Sequence, residues 1–313
     1  MGRYILSRLT GLIAVLLAAS FVTFALMKMV PGGPFDAWAL QNAQMIPEEL
    51  VEMMEKKYGY DKPFFEQYML FLKNAIRFDF GNSLYSSGRS VNEIIAQHWP
   101  YTLQLSLLTL AFSSVVGLTL GIAAAMKQGS FIDHFGTGLT LLFQAIPGFV
   151  FAVLMQYILS VKLHWVPTGG WETPKHWIMP VLANSLGPIL ILQRYTRSAV
   201  ADVIRSDYVR TARAKGMSER RVTLIHVFKN ALTPVVTVAG PMMAGLITGS
   251  FFIERIFRVP GLGWYFGSAI ANRDHVLIMA STVMYTAILS ITYLLTDLVY
   301  ALIDPRVAYV KER

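Results

Sequence analysis

Six long stretches free of Asp, Glu, Lys, Arg and His alternate with polar segments along the chain: Leu9 to Met27, Thr102 to Met126, Phe135 to Val161, Trp177 to Gln193, Ala231 to Ile253 and Val276 to Thr296. A helix rising 1.5 Å per residue needs about 20 apolar residues to cross roughly 30 Å of hydrocarbon. The pattern therefore predicts an all-α integral membrane protein with six transmembrane helices. The fourth run, seventeen residues long, stands at the lower bound. The first follows Arg3 and Arg8 and holds nineteen uncharged residues; a cleaved signal core has only ~7–15, so this run reads as a retained span.

The spans divide the chain into a first transmembrane helix (1–30), a polar external insert (31–101), a core of five spans (102–304) enclosing an internal loop (194–230), and a tail (305–313). In the insert, Pro47 ahead of Glu48 and Glu49 marks a helix start, because proline suits the first helical position and acids suit the positive end of the dipole. Phe64, Tyr68, Phe71, Leu72 and Ala75 recur at helical spacing, which predicts a second helix whose apolar stripe lies on the bilayer interface or against the other spans. Trp99, Tyr101, Trp165, Trp171 and Trp177 flank the second to fourth runs, as an interfacial aromatic belt does. Pro147-Gly148, Gly187-Pro188 and Gly240-Pro241 fall inside runs and predict breaks. Gly117-x-x-x-Gly121 and Gly245-x-x-x-Gly249 predict close helix approach.

Composition fits lipid as solvent: 54% of the 313 residues are apolar and 15% charged, against about a quarter charged in soluble domains. Cysteine is absent, which excludes disulfides and thiolate chemistry, and the six histidines never fall at H-x-x-x-H spacing. No cofactor or metal is expected. The net charge of +8 could mark a nucleic-acid partner, but its placement argues otherwise. With both termini in the cytosol, cytoplasmic segments carry fifteen Lys and Arg against six acids, and external segments twelve of each. That is the positive-inside asymmetry, and it needs no nucleic acid.

Asp297 is the one carboxylate deep in a run's end; an intramembrane acid is a functional candidate, or it reaches headgroups from the last turns of the sixth span. The internal loop is more patterned. Ser206 or Asp207 can cap a helix through Lys215, Gly216 suits a left-handed stop, and Ser218 can cap a second helix with Val222, Ile225 and Phe228 on its apolar side. Without a third helix and tethered between spans, this pair suits docking of a cytoplasmic protein rather than a DNA groove.

Asp207-Tyr208-Val209-Arg210-Thr211-Ala212-Arg213-Ala214-Lys215-Gly216 and His226-x-x-x-Asn230-Ala231-Leu232-x-Pro234 resemble the coupling loop of binding-protein-dependent ABC importer permeases of the peptide branch. That family's general pattern is Glu-Ala-Ala, three residues, then Gly. Ala212 and Gly216 match it, while Arg210 and Thr211 replace the Glu and an Ala, as in the peptide branch. Val30-Pro31-Gly32-Gly33-Pro34, Asp79-Phe80-Gly81, His164-Trp165-x-Pro167-x-Gly169-Gly170-Trp171, Thr248-Gly249-Ser250, Ile253-Glu254, Pro260-Gly261-Leu262-Gly263 and Ile303-Asp304-Pro305-Arg306 are similar to the oligopeptide permease B subunit. The resemblance implies a type I ABC importer permease fold in a bacterial inner membrane. It also implies three further subunits and an external carrier: a homologous second permease, two cytoplasmic ATPases that hold ATP and Mg, and a peptide-binding protein. No Gly-Lys-Ser or Gly-Lys-Thr occurs here, so the phosphate-cradling loop is lacking and the chain is read as non-catalytic. Glu254, Pro260, Gly261 and Gly263 are expected to gate the outer side or receive the binding protein. The alternatives are glutathione or chelated nickel as cargo in the same family, an ion-coupled transporter using Asp297, and a passive channel or scaffold.

Overall fold

The first apolar run folds as one helix, α1 (Gly2–Met29), with Ile13, Val15, Val22 and Leu26 exposed. The computed structural model describes residues 2–30, 59–83, 88–131 and 145–303 with the isolated positions 53, 56, 133, 134, 136, 138 and 143; the Pro47 helix start and the Ile303-Asp304-Pro305-Arg306 ending beyond Ile303 lie outside them. Secondary structure among the described residues is helical apart from one bridge between Asn82 and Ser90. Beyond α1 the chain forms α2 (Phe64–Ile76), α3 (Val91–Met126), α4 (Gly148–Gln156), α5 (Pro174–Ile204), α6 (Asp207–Ala214), α7 (Glu219–Arg221), α8 (Lys229–Ile247), α9 (Phe251–Ile256), α10 (Leu262–Ala271) and α11 (His275–Ile303). Among the described residues, three stretches are long and apolar enough to cross a membrane: Arg8–Met29, Val91–Met126 and His275–Leu298.

The chain forms two units, one from Gly2–Tyr101 with Gly261–Ser290 and the other from Thr102–Pro260 with the segment beginning at Ile291. In the first, the stripe of α2 packs on α1. Phe24 and Phe64 meet edge to face at 5.1 Å, and the buried Tyr68 hydroxyl donates to the Leu17 carbonyl at 3.1 Å. Asp274 caps α11 through the Leu277 N–H and accepts the Ser83 hydroxyl at 2.5 Å. Val91, Ile94, Leu262, Phe266, Leu277 and Ala280 form this unit's second apolar cluster.

In the second unit, α3, α5 and α8 are held by small residues and hydroxyls, since apolar packing alone gives helices in lipid no hydrophobic gain. A Cβ on Gly117 would lie 2.7 Å from that of Leu192, and one on Gly121 would lie 2.6 Å from that of Thr196, so α3 and α5 touch backbone to backbone. Ser106 donates to the Leu246 carbonyl at 2.6 Å, and Ser185 donates to that of Thr109 at 3.3 Å. The close approach expected of Gly117 and Gly121 is therefore present.

Several expectations change. Gly245 has nothing within 4 Å and Gly249 is a left-handed residue at φ +90°, so that pair ends a helix rather than joining two. The fifth run accordingly breaks at Thr248–Gly249, and Ser250 accepts the Ile253 N–H to start α9. Pro188 does not break α5, nor does Pro241 break α8, whereas Pro147 does mark a helix start, that of α4. α4 widens into a π-helix over Tyr157–Lys162. α3 begins at Val91 and carries Pro100 inside it; the boundary between the units follows at Tyr101. Trp171 is a core residue rather than a belt residue. It is 7% exposed, donates to Gln104 at 2.9 Å and stacks on Trp177.

Candidate coupling surface

α5 is an unbroken rod of 31 residues opened by Thr173 with Pro174 behind it. Just beyond its other end, Ser206 turns the chain into α6 in an extended conformation. The Ser206 hydroxyl does not cap α6: it donates back to the Val203 carbonyl at 2.6 Å.

Only two of the eight residues of α6 face inward. Val209 is 0% exposed and Ala212, one turn on, is 5% exposed. Both pack into a cluster with Ala125, Ala199, Val200, Val222, Val227 and Ala231. Asp207, Tyr208, Arg210, Thr211, Arg213, Ala214, Lys215 and Gly216 are exposed. The helix is thus rooted by two residues and exposes the rest of its surface.

The stop is glycine-specific in the way expected. Gly216 sits at φ +76°, its N–H donates to the Arg213 carbonyl at 2.9 Å, and the Met217 N–H reaches back to that of Ala212. These are the bonds of a left-handed helix end. Arg213 then bonds both carboxylate oxygens of Glu219, at 2.8 and 3.2 Å, across the turn.

The second helix departs from expectation. Its α-helical part is α7, three residues long, and a π-helix runs over Val222–Phe228 before α8. Its bonds close over five residues rather than four, which puts Val222 and Val227 together on the buried side and leaves Ile225 49% exposed. Asn230 donates to the Tyr208 hydroxyl at 3.2 Å and to the His226 carbonyl at 2.9 Å. The two separated pieces of sequence thus meet as one surface.

The remaining candidates lie elsewhere. Glu254 on α9 is 0% exposed and accepts the Thr102 hydroxyl at 3.0 Å, which makes it an internal group. Pro260 is partly buried, and Gly261 starts α10 with Gly263 buried in its first turn. Asp297 is partly buried on α11, one residue after Thr296, into which any Cβ on Gly240 would collide. Among the described residues no group of three or more His, Asp or Glu is gathered for a metal ion.

Three contacts had no clear sign in the sequence. Asp133 is joined to Arg197, 64 positions away, and Thr102 to Glu254. The third is the loop after α4, where the Gly170 N–H donates to the Phe257 carbonyl at 2.8 Å and a Cβ on Gly169 would lie 2.5 Å from that oxygen. The Gly169-Gly170 pair was its only trace.

The sequence is matched by relatives. Residues 117–309 fit the family described as binding-protein-dependent transport system inner membrane component, and residues 1–106 fit its N-terminal companion. The chain belongs to this family. It is 38% identical over 307 residues to the dipeptide transport system permease protein DppB of Bacillus subtilis, covering 98% of each chain. It is 35% identical over 311 residues to the oligopeptide transport system permease protein OppB of Escherichia coli K12, covering 99% of this chain and all of that one. A solved structure of the MetNI methionine ABC transporter in an inward-facing conformation superposes with a TM-score of 0.56 at 16% identity, over 67% of this chain and 96% of that chain. This places the fold among ABC importer permeases, and the expected family resemblance holds.

Proposed function

We propose that this family member is the membrane-spanning permease subunit of an ATP-driven importer of peptides. It crosses the bacterial inner membrane six times with both termini in the cytosol and forms half of the path. The cargo assignment is supported by the full-length dipeptide and oligopeptide relatives. The observation that carries the coupling role is α6: Val209 and Ala212 root it and every other side chain is bare.

In this reading α6 seats in a groove of a cytoplasmic ATPase subunit, which holds the ATP and Mg. Arg210, Lys215, Arg220 and Arg221 make the exposed face basic, so the groove presents carboxylates. Closure of the ATPases then moves α6 and, with it, the helices on which it is rooted, exchanging inward-open and outward-open states. A homologous second permease completes the path and an external peptide-binding protein delivers the cargo. Pro260, Gly261 and Gly263 form the turn nearest that protein, while buried Glu254 holds α9 to Thr102 of α3 and so contributes to a gate from within.

The test is purification of the tagged chain in mild detergent followed by reconstitution in sealed vesicles. A second permease and two ATPases are expected to co-purify, and peptide uptake is expected with ATP and binding protein in the absence of any ion gradient. Full uptake by this polypeptide alone, or uptake that requires a proton or sodium gradient, overturns the reading.

A further inference from the structure

Asp133 is 3% exposed, yet it is fully bonded. Its carboxylate accepts Arg197 Nε at 2.5 Å and Nη2 at 2.8 Å, and the second oxygen also accepts the Gly129 N–H at 3.0 Å. Arg197 lies two turns before the end of α5, and Asp133 lies in the segment just after α3. Eight residues on, Arg205, the residue that follows α5, donates to Gln128 Oε1 at 2.7 Å. Two ties therefore fix the segment after α3 to the same side of α5, immediately ahead of α6.

A fork-on-carboxylate pair of this kind fixes orientation as well as distance, and its cost in desolvation makes it a poor device for stability alone. What it adds here is rigidity at a defined place. The coupling helix is rooted in a cluster built from both α3 (Ala125) and α5 (Ala199, Val200). If these two helices could slide at their α6 ends, a push on α6 would be absorbed locally. The bidentate bond blocks that slide, and α5 itself has no break along its length through which the push could dissipate.

Resting on the coupling reading above, the geometry points to Asp133 and Arg197 as positioning residues for transport: a clamp that makes α3 and α5 move together when an ATPase subunit moves α6. Loss of this pair uncouples hydrolysis from import instead of abolishing either assembly or hydrolysis.

The experiment uses the whole importer in vesicles, scoring peptide imported per ATP hydrolysed. Asp133→Asn keeps the size and an acceptor for the Gly129 N–H, and Arg197→Lys keeps the charge without the fork. Both variants are expected to co-purify with the ATPases and to hydrolyse ATP at near the native rate, with import per ATP lower by roughly tenfold, within the range of about 5- to 150-fold for coupling between sites. Because the chain has no cysteine, Gln128→Cys with Arg205→Cys can be bridged by a short bis-maleimide in the Asp133→Asn background, and the bridge is expected to restore the ratio. The clamp is overturned by an unchanged ratio in both variants, by a lowered ratio that the bridge leaves low, or by failure of both variants to assemble. A native chain that retains no ATPase at all overturns the coupling reading beneath it, a result separate from any of these.

Discussion

Gly216 separates backbone strain from crowding, because its φ of +76° is left-handed while the space where a Cβ would go is open within 4 Å. A β-branched residue there costs roughly 1–2 kcal/mol through its backbone alone, and Asn, which tolerates this region, costs less. Gly216→Val is therefore expected to unravel the end of α6, lowering import and the yield of co-purified ATPase together, with Gly216→Asn near native; equal behaviour of the two variants would remove strain as the cause. Asp133 gives a second measurement at this scale. The hydrogen bonds from Arg197, then that from Gly129, hold its carboxyl from an ordinary 3.8 down to about 2. A group depressed on folding contributes stability that is complete above its unfolded value and is lost as pH falls through its folded one. The melting temperature of the native chain minus that of Asp133→Asn should be constant above about pH 4 and shrink as pH falls toward 2. A difference that keeps one value down to pH 2 would mean that the pair is not an ion pair in solution.

Among the elements, the two small-residue repeats make opposite predictions although they look alike in sequence. Gly121→Ala drives a methyl to 2.6 Å from the Thr196 Cβ and 2.8 Å from the Gln193 carbonyl, a backbone atom that cannot swing aside; overpacking of this kind costs about 1–3 kcal/mol. Gly245→Ala meets nothing within 4 Å in the last turn of α8 and gains part of the roughly 1 kcal/mol by which Ala exceeds Gly in a helix interior. Thermal unfolding in detergent should show the first variant destabilised and the second native or better. Apolar length and the absence of charge made α1, α3, α5 and α11 legible beforehand, because the bilayer imposes both. The stop at Thr248–Gly249 was not legible as a break in the run, since uncharged residues continue through it and the left-handed angle at Gly249 is what ends the helix. Nor was the π-helix at Val222–Phe228, whose five-residue closure shifts the buried side from Ile225 to Val227. α6 was readable because its determinants are local: a turn at Ser206-Asp207 ahead of it and a glycine stop at Gly216. The Asp133–Arg197 clamp was not, because a pairing across 64 positions leaves no local spacing to read.

For the whole molecule, the count of crossings fixes which face every functional element occupies, and the fourth run decides it. Trp177 to Gln193 is seventeen residues long and contains Pro180 and Pro188, yet it lies inside an unbroken helix of 31 residues, long enough at 1.5 Å per residue to cross the hydrocarbon. If that run spans, the loop holding the exposed Trp165 and the helix holding Thr211 face opposite sides; if it does not, they share one. The charge pattern favours spanning, since nine Lys and Arg lie between Arg194 and Lys229 and only two, Lys162 and Lys175, lie between the third and fourth runs, and basic loops stay in the cytosol. The absence of cysteine makes the test clean. Trp165→Cys should react with an impermeant maleimide added to intact cells, and Thr211→Cys only after the membrane is opened. The same reagent should reach Thr211→Cys more slowly in the assembled importer than in the chain stripped of its ATPases, because α6 is then covered. Labelling of both positions from outside would turn the basic loop away from the only compartment that supplies ATP, and the coupling role would fall with it.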